Sequence, residues 1–350
     1  MTLDKLIAEL TASRHLTDEQ VHFAVGQIIE ENVPETLKAD FLCHLALKGE
    51  TVGEITAFAR ALRAKAIQPP LDQEWRNTHD ILDVCGTGGD RLNTFNISTT
   101  VAIICAAAGV PVAKHGNRAI TSQAGSADVL EALGVKIDLP PAEAARSLRE
   151  RNFAFFFAPS YHPTFKHISA ARKLCAERGQ RTIFNFLGPL LNPALPTAQL
   201  VGVPRPDLCE PLAQVLQSLG ARRGMVVSGQ IQNDGEVRYL DELSTMAETT
   251  VAEFYQERGF ASSKLDPGHF QLQNATPDDL KGGDRKENAE IVRRILRGDE
   301  RGPKRDAVLL NAAAGLFVAG RVRALGDGWE LAAGLIDGGE SWKKLKELAT

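Results

Sequence analysis

The pattern of apolar positions changes near residue 70 of this 350-residue chain. Up to residue 68, apolar side chains recur at helical spacing, and Thr17 with Gln20 and Thr51 with Glu54 have the spacing of capping boxes at helix starts. Two consecutive prolines end this run. The pattern predicts an all-helical segment whose apolar faces pack on later helices or on a second subunit.

From Asp80 onward, short apolar runs alternate with helical patterns, which indicates a mostly parallel sheet with crossover helices. We expect strands at residues 81–85, 110–113, 135–137, 153–157, 200–203 and 225–227. We expect helices at residues 101–108, 125–134, 142–151, 287–297 and 307–320. The expected fold class is therefore α/β.

Residues 81–100 place a glycine-rich turn between the first strand and its helix. Gly86, Gly88 and Gly89 end the strand, and Asp90 closes the turn. Free backbone N–H groups and the positive end of the helix dipole would both face a group bound here. The turn lacks the third glycine of the dinucleotide fingerprint and the Gly-Lys-Ser/Thr of a P-loop. It is predicted to be a phosphate site of another kind, with a tight, capped βα turn as the simpler alternative.

A second candidate element is the polar loop at residues 114–122, directly after the next predicted strand. Lys114 and Arg118 carry positive charge, and Gly116 permits a close approach of the backbone. Loops at the carboxyl ends of parallel strands lie together, so this loop is expected to face the glycine turn. The two elements would then surround an anion of several charges. A solvated surface loop is the alternative.

The third candidate element is the carboxylate pair Asp241 and Glu242, which follows an apolar run. One or two carboxylates together with substrate phosphates are a common environment for Mg²⁺. When Mg²⁺ neutralises a diphosphate, the diphosphate becomes a better leaving group. Adjacent acidic residues are usually only solvated, so this prediction depends on the phosphate site.

Net charge and cysteine content disfavour some binding partners and bear on the cellular location. A net charge of −4 disfavours a general nucleic-acid binder, which needs a broad basic face. The five cysteines are scattered without a C-x-x-C pair, so they predict no zinc site and fit a reducing cytoplasm. The sequence has neither a signal-peptide pattern nor an apolar run of membrane-spanning length. We expect a cytoplasmic protein with no membrane partner.

Taken together, seven motifs resemble those of the anthranilate phosphoribosyltransferase family. They are GTGGD at 86–90, N-x-S-T at 96–99, KHGNR at 114–118, GSADVLEALG at 125–134, RTIFNFLGPLLNP at 181–193, LDE at 240–242 and DAVLLNAAAGL at 306–316. The likeness covers nearly the whole chain. KHGNR together with GTGGD is its most specific part.

The resemblance implies a fold, a reaction and an assembly. The fold is a small helical domain (residues 1–70, joined by helices from 165–195) beside a larger α/β domain (71–164 and 196–350) of the nucleoside phosphorylase type. The reaction transfers the phosphoribosyl group of 5-phosphoribosyl 1-pyrophosphate to the amine of anthranilate. Its products are N-(5-phosphoribosyl)anthranilate and pyrophosphate, in the tryptophan branch. Two Mg²⁺ ions per subunit and a homodimer that meets through the helical domain are also implied.

Matching motif positions carry the family's site residues onto this chain. Phosphoribosyl pyrophosphate would be held by Gly86, Gly89, Asp90, Thr94, Asn96, Ile97, Ser98, Thr99, Lys114, His115, Gly116, Asn117, Arg118, Ala119, Ile120, Thr121, Ser122 and Ser126. Anthranilate would contact Gly86, Asn117 and Arg172, and the guanidinium fork of Arg172 would pair with its carboxylate. Mg²⁺ would be bound by Ser98, Asp241 and Glu242.

The sequence offers no dedicated catalytic nucleophile, acid or base for this reaction. No Ser-His-Asp set or similarly activated nucleophile is recognisable. Catalysis would therefore rest on positioning of the two substrates and on electrostatic stabilisation of the leaving group.

Two other functions remain open at this point. A pyrimidine nucleoside phosphorylase of the same fold would carry Lys-His-Ser in place of the KHGNR motif. A relative that binds nucleic acid would be basic and would have lost site motifs, which the net charge of −4 and the intact LDE motif disfavour. Turnover of anthranilate distinguishes the first alternative, and a salt-dependent DNA shift tests the second.

Overall fold

The computed structural model describes residues 1–119, 123–233, 235–256 and 259–349. The helices are α1 Leu3–Thr11, α2 Asp18–Ile28, α3 Glu35–Lys48, α4 Val52–Arg63, α5 Gln73–Thr78, α6 Ile97–Ala107, α7 Ser126–Ala132, α8 Pro141–Arg151, α9 Ala158–Tyr161, α10 Ser169–Glu177, α11 Cys209–Ser218, α12 Arg285–Arg297, α13 Pro303–Val318, α14 Leu325–Asp337 and α15 Glu340–Leu348. The strands are β1 Leu82–Gly86, β2 Val112–Gly116, β3 Phe153–Phe157, β4 Ala198–Gly202, β5 Arg223–Asn233, β6 Glu236–Leu240, β7 Thr249–Tyr255 and β8 Gly259–Leu265.

The N-terminal helices α1–α4 form one layer of the molecule. Both predicted capping boxes are present, at Thr17 and at Thr51. The apolar faces of these helices pack on α10 and α11, and α11 in turn packs on one face of the sheet, so the predicted packing on later helices is confirmed. The division into residues 1–70 with 165–195 and the remainder stays a prediction.

The sheet has the order β3-β2-β1-β4-β5-β7-β8, and β6 pairs with β5 outside this path. The strands from β3 to β5 are parallel neighbours, whereas β6, β7 and β8 join in antiparallel pairs. The expected α/β class with a mostly parallel sheet is confirmed. The opposite face of the sheet is covered by α6, α7 and α12–α15, which enclose the larger apolar core.

Some element predictions were wrong. Residues 135–137 form no strand, because Val135 and Ile137 are buried in the core without a neighbouring strand to pair with. The strand expected at 110–113 is β2 at Val112–Gly116, because backbone pairing with β1 begins only at Val112, after Pro111. Residues 114–116 therefore end this strand and do not open the polar loop, as had been expected. The antiparallel strands β7 and β8 and the helices α5, α14 and α15 were not predicted.

None of the helices in the described part of the chain is long and apolar enough to cross a membrane.

Candidate active site

Three parallel strands end in glycine at the same edge of the sheet. Gly86 ends β1 and pairs in register with Gly202 at the end of β4, while Gly116 ends β2. Gly88 and Gly89 continue the first turn with φ values of 73° and 86°, a region that favours glycine. The turn therefore follows from the residue types that the sequence places there.

The carboxylate pair after β6 lies against these strand ends. The Gly88 N–H donates a hydrogen bond of 2.7 Å to Asp241 Oδ2. A Cβ atom at Gly86 would lie 2.0 Å from Asp241 Oδ2, and one at Gly202 would lie 1.5 Å from the Asp241 carbonyl oxygen. Glu242 also lies close to a glycine, because a Cβ atom at Gly229 would lie 2.5 Å from the Glu242 carbonyl oxygen. The sheet edge admits the acidic segment only because these positions carry no side chain.

The carboxyl groups of Asp90, Asp241 and Glu242 lie near one another at this sheet edge. Burial, followed by the neighbouring Asp90 carboxylate, raises the pKa of Asp241 to about 7. Burial raises the pKa of Asp90 as well, and burial together with Asp241 raises the pKa of Glu242. Crowded, buried carboxylates favour a bound cation, which removes their mutual repulsion. Among the described residues no three acidic, histidine or cysteine side chains form a closed metal site.

Lys114, near the end of β2, links this strand to β1 and to the first turn of α6. Its side chain is buried, and Nζ donates to the Val84 carbonyl at 2.7 Å and to Ser98 Oγ at 3.2 Å. Burial lowers the pKa of Lys114, while the nearby Glu242 carboxyl opposes that shift. The contact places the first turn of α6 beside the end of β2.

The start of α6 is polar but not capped by its own Asn96 side chain. Asn96 instead accepts a hydrogen bond from Asn288 at 3.0 Å. Thr99 Oγ1 is buried and has no partner among the described residues. The Ile97 side chain lies in the core, so only its backbone can face a ligand, and Thr94 forms an isolated bridge with Lys281.

The loop after β2 is held at its base by Asp128. Its Oδ2 accepts hydrogen bonds of 2.9 Å from the N–H groups of Ala119 and Gly125. The predicted ligand Arg118 is not free in this structure, because its guanidinium pairs with Asp128 and with Glu131 at 3.1 and 3.0 Å. The predicted residues Ile120, Thr121 and Ser122 lie outside the described residues.

Two further predicted ligands lie where this loop closes on α7. The Asn117 side chain accepts a hydrogen bond of 2.8 Å from the Arg118 N–H. The Asn117 carbonyl accepts one of 3.2 Å from the Ala127 N–H and one of 3.4 Å from Ser126 Oγ. Ser126 also sits directly over Gly116, where a Cβ would lie 2.2 Å from Ser126 Oγ.

An aromatic row leads from the end of β2 to Arg172 on α10. The centroids of its rings are 5.2 Å apart for His115 and His162, 4.9 Å for His162 and Phe165, and 6.0 Å for Phe165 and Phe184. The guanidinium of Arg172 lies 5.4 Å from the centroid of the Phe184 ring. No carboxylate within the described ranges pairs with this half-buried guanidinium, and burial lowers its pKa. Arg172 is thus a cation positioned at the far end of an apolar row.

The two histidines of the row are buried and neutral at physiological pH. Burial lowers the pKa of His115 to about 3 and that of His162 to about 4. His115 Nδ1 lies 3.1 Å from the Gly188 carbonyl oxygen, so the imidazole is held in the row. The Nε2 atoms of both rings have no hydrogen-bond partner among the described residues.

Sequence reasoning missed Asp83 and Asn192 beneath the site. Asp83 accepts hydrogen bonds from Asn192 Nδ2 at 2.9 Å and from the His115 N–H at 3.3 Å, and Asn192 Nδ2 also donates to the Ala113 carbonyl at 2.6 Å. Burial raises the pKa of Asp83 to about 6. A carboxylate within the apolar run of β1 was the available signal, because a buried charge needs partners.

The site therefore has two ends of different chemistry. One end offers turn amides, a buried ammonium and several carboxylates, which suits a polyphosphate bound with a divalent cation. The other end offers aromatic rings and an unpaired guanidinium, which suits a flat, apolar acid.

Comparison with known proteins agrees with this arrangement. The family models "Glycosyl transferase family, helical bundle domain" and "Glycosyl transferase family, a/b domain" match residues 4–66 and 78–342. An anthranilate phosphoribosyltransferase of Acetivibrio thermocellus is 43% identical over 99% of this chain and 95% of its own length.

Two solved structures extend the comparison to the fold. The crystal structure of the Thermus thermophilus anthranilate phosphoribosyltransferase is 39% identical, covers 98% of both chains and has a TM-score of 0.86. The Saccharomyces cerevisiae enzyme in complex with PRPP and Mg is 25% identical, covers 99% of this chain and 96% of its own, and has a TM-score of 0.84. The chain belongs to this glycosyl transferase family and, within it, to the anthranilate phosphoribosyltransferase family.

Proposed function

We propose that this member of the family transfers the phosphoribosyl group of phosphoribosyl pyrophosphate to the amine of anthranilate. The products are N-(5-phosphoribosyl)anthranilate and pyrophosphate, a step of tryptophan biosynthesis. The observation that carries the proposal is the pairing of a polyphosphate-type end with an aromatic, cationic end in one site. A C1–O bond to pyrophosphate breaks, a C1–N bond to the amine forms, and the amine releases one proton.

The phosphoribosyl pyrophosphate end comprises the glycine turn, the start of α6 and the end of β2. Turn amides at Gly89 and Asp90 and the first turn of α6 supply N–H donors. The buried ammonium of Lys114 supplies positive charge that water cannot screen. The remaining proposed ligands are Gly86, Thr94, Asn96, Ile97, Ser98, Thr99, His115, Gly116, Asn117, Arg118, Ala119, Ile120, Thr121, Ser122 and Ser126.

Ser98, Asp241 and Glu242 are the proposed Mg²⁺ ligands. The raised pKa values of the two carboxyls fit this role, because a cation would offset their repulsion. The lack of a closed site among the described residues fits Mg²⁺ that completes its shell with phosphate oxygens and water. Two ions per subunit are proposed. When bound, Mg²⁺ neutralises charge on the departing pyrophosphate.

Arg172 is the proposed partner of the anthranilate carboxylate, and Asn117 and Gly86 are the proposed contacts nearer the ribose. The row from His115 to Phe184 offers an apolar wall for the benzene ring, and its neutral histidines add no competing charge. Catalysis then consists of holding the amine at C1 while the site stabilises the leaving group. No single residue is assigned as a general base.

We also propose a homodimer that forms through the helical layer. Leu47 on α3 supports this, because it is 71% exposed, more than any other large apolar residue that the structure describes. The free cysteines of the described chain are consistent with the expected cytoplasmic location.

The test is the loss of anthranilate fluorescence on mixing the purified protein with phosphoribosyl pyrophosphate and Mg²⁺. We expect rapid loss that stops when EDTA removes the metal, with one pyrophosphate released for each anthranilate consumed. A folded protein that leaves anthranilate unchanged would contradict the proposal. Phosphorolysis of uridine or thymidine by the same sample would then favour the nucleoside phosphorylase alternative.

A further inference from the structure

The helix that carries Arg172 is held on α3 by a row of polar contacts. Within α10, Ala171 and Cys175 are buried in the apolar cluster that also contains α3. Polar contacts from α3 reach both ends of this packing surface. They are Lys38 Nζ to the His167 carbonyl at 2.8 Å, Cys175 Sγ to the Ala39 carbonyl at 3.5 Å, Cys43 Sγ to Cys175 Sγ at 3.4 Å and Arg178 Nη1 to Asp40 Oδ1 at 2.6 Å.

Lys38 is the unusual member of this row. Its side chain is 0% exposed, yet its only charged partner among the described residues is Glu35 Oε1 at 3.5 Å, and the Glu35 side chain is itself 39% exposed. A buried ammonium is costly unless it is well paired, so the packing of α3 by itself would favour an apolar residue at this position. The specific interaction that the ammonium makes is the hydrogen bond to the His167 carbonyl.

That carbonyl lies two residues before the first residue of α10, Ser169. A hydrogen bond there fixes where the chain enters the helix, and Ile168, which is buried, fixes its rotation. Arg172 follows within the first turn, where its guanidinium lies over the Phe184 ring without an ion pair to a described residue. The direction of this guanidinium is therefore set by the placement of α10.

We propose that Lys38 is a positioning residue for Arg172: by binding the His167 carbonyl it fixes the start of α10 and hence the place where the guanidinium meets the acceptor's carboxylate. The inference rests on the proposed function, in which Arg172 binds that carboxylate. Lys38 touches neither substrate and acts only through α10.

The test compares Lys38→Met with Lys173→Met. Methionine keeps an unbranched apolar side chain but removes the donor, and Lys173 is a matched lysine on α10 whose side chain is 79% exposed. For Lys38→Met we expect the KM for anthranilate to rise about tenfold while kcat and the KM for phosphoribosyl pyrophosphate stay within about twofold, because misplacing a binding group by a fraction of an ångström weakens only its own contact. Lys173→Met should behave like the wild type.

A double-mutant cycle separates positioning from general destabilisation. In the Arg172→Ala background, Lys38→Met should raise the KM for anthranilate no further, because the group that it positions is gone. A further tenfold rise there, or an equal rise of both KM values in the single variant, would overturn the inference. Lys38→Gln, which keeps a shorter donor, should lie between the wild type and Lys38→Met and serves if the methionine variant does not fold.

Hydrogen exchange gives a readout that does not depend on turnover. Faster exchange in Lys38→Met should be confined to residues 167–177. Unchanged exchange there would show that Lys38 does not hold the start of α10. If the wild type does not consume anthranilate, the proposed function fails and this exchange comparison alone decides whether Lys38 anchors α10. Faster exchange with an unchanged KM for anthranilate in an active enzyme would overturn the positioning role.

Discussion

The two ends of the candidate site are built in different ways. At the sheet edge, Asp241 lies so close to Gly86 and Gly202 that a side chain at either glycine would clash with it. At the helical side, Arg172 is placed by helix packing and by a row of ring contacts, and its guanidinium is half-buried without an ion pair among the described residues. We therefore expect the sheet edge to lose its function abruptly when a residue is altered, whereas the helical side should weaken in steps.

The largest effect is expected at the carboxylate pair. Asp241→Asn/Glu242→Gln should lower kcat/KM about a thousandfold, or about 4 kcal/mol, because the proposed cation ligands lose their charge. The free energy of unfolding should not fall, since burial already opposes ionisation of both groups. Initial rates at increasing Mg²⁺, together with thermal melts, check this. Activity within tenfold of the wild type would contradict the assignment.

A steric change at the same edge should be almost as severe. Gly202→Ala puts a Cβ 1.5 Å from the Asp241 carbonyl oxygen, so the acidic segment must shift, at a cost of about 3 kcal/mol in unfolding free energy. Gly326→Ala is the control, because nothing lies within 4 Å of that position on α14. Urea denaturation of both variants measures the difference. Equal stability would show that the edge is less rigid than described.

At the helical end, Arg172→Ala should raise the KM for anthranilate about a hundredfold, through the loss of one charged pair worth about 3 kcal/mol. The KM for phosphoribosyl pyrophosphate should change little. Aniline, which lacks the carboxylate, should react equally poorly with the variant and the wild type. A variant that still prefers anthranilate strongly would assign the carboxylate to another residue.

The smallest effect concerns the neutral histidines between the two ends. The pKa of His162 is about 4 in the folded protein and near 6.5 when unfolded, so the unfolded chain binds the extra proton as the pH falls below 6.5. Stability is therefore lost on acidification, by about 2 kcal/mol at pH 5 for this group. His162→Phe should lose less stability between pH 7.5 and pH 5 than the wild type does. The exposed His22→Gln variant is the control and should keep the wild-type pH dependence.

The sheet edge could be predicted from sequence largely because its signals are local. The glycine turn, the loop after β2 and the Asp241 pair each follow a strand, and parallel topology brings such loops together. The capping boxes of α2 and α4 were equally local and were confirmed. The family resemblance supplied Arg172, which no local pattern marks.

What sequence reasoning missed depends on distant contacts. The aromatic row joins the end of β2 to the segments before and after α10, and no spacing along the chain reveals it. The bond between Asp83 and Asn192 spans 109 positions. The role of Arg118 as a ligand of phosphoribosyl pyrophosphate stays a prediction, and the ion pairs of its guanidinium with Asp128 and Glu131 on α7 were not foreseen. The exposed strand β8 gave no alternating apolar signal, because nearly all its side chains are exposed.

The most direct test of this two-ended account is calorimetric binding of phosphoribosyl pyrophosphate, with and without Mg²⁺, to the wild type and to two variants. We expect Arg172→Ala to bind phosphoribosyl pyrophosphate as the wild type does, whereas Asp241→Asn/Glu242→Gln should lose the part of the affinity that depends on Mg²⁺. Wild-type affinity in the carboxylate variant, or lost affinity in Arg172→Ala, would contradict the division of the site.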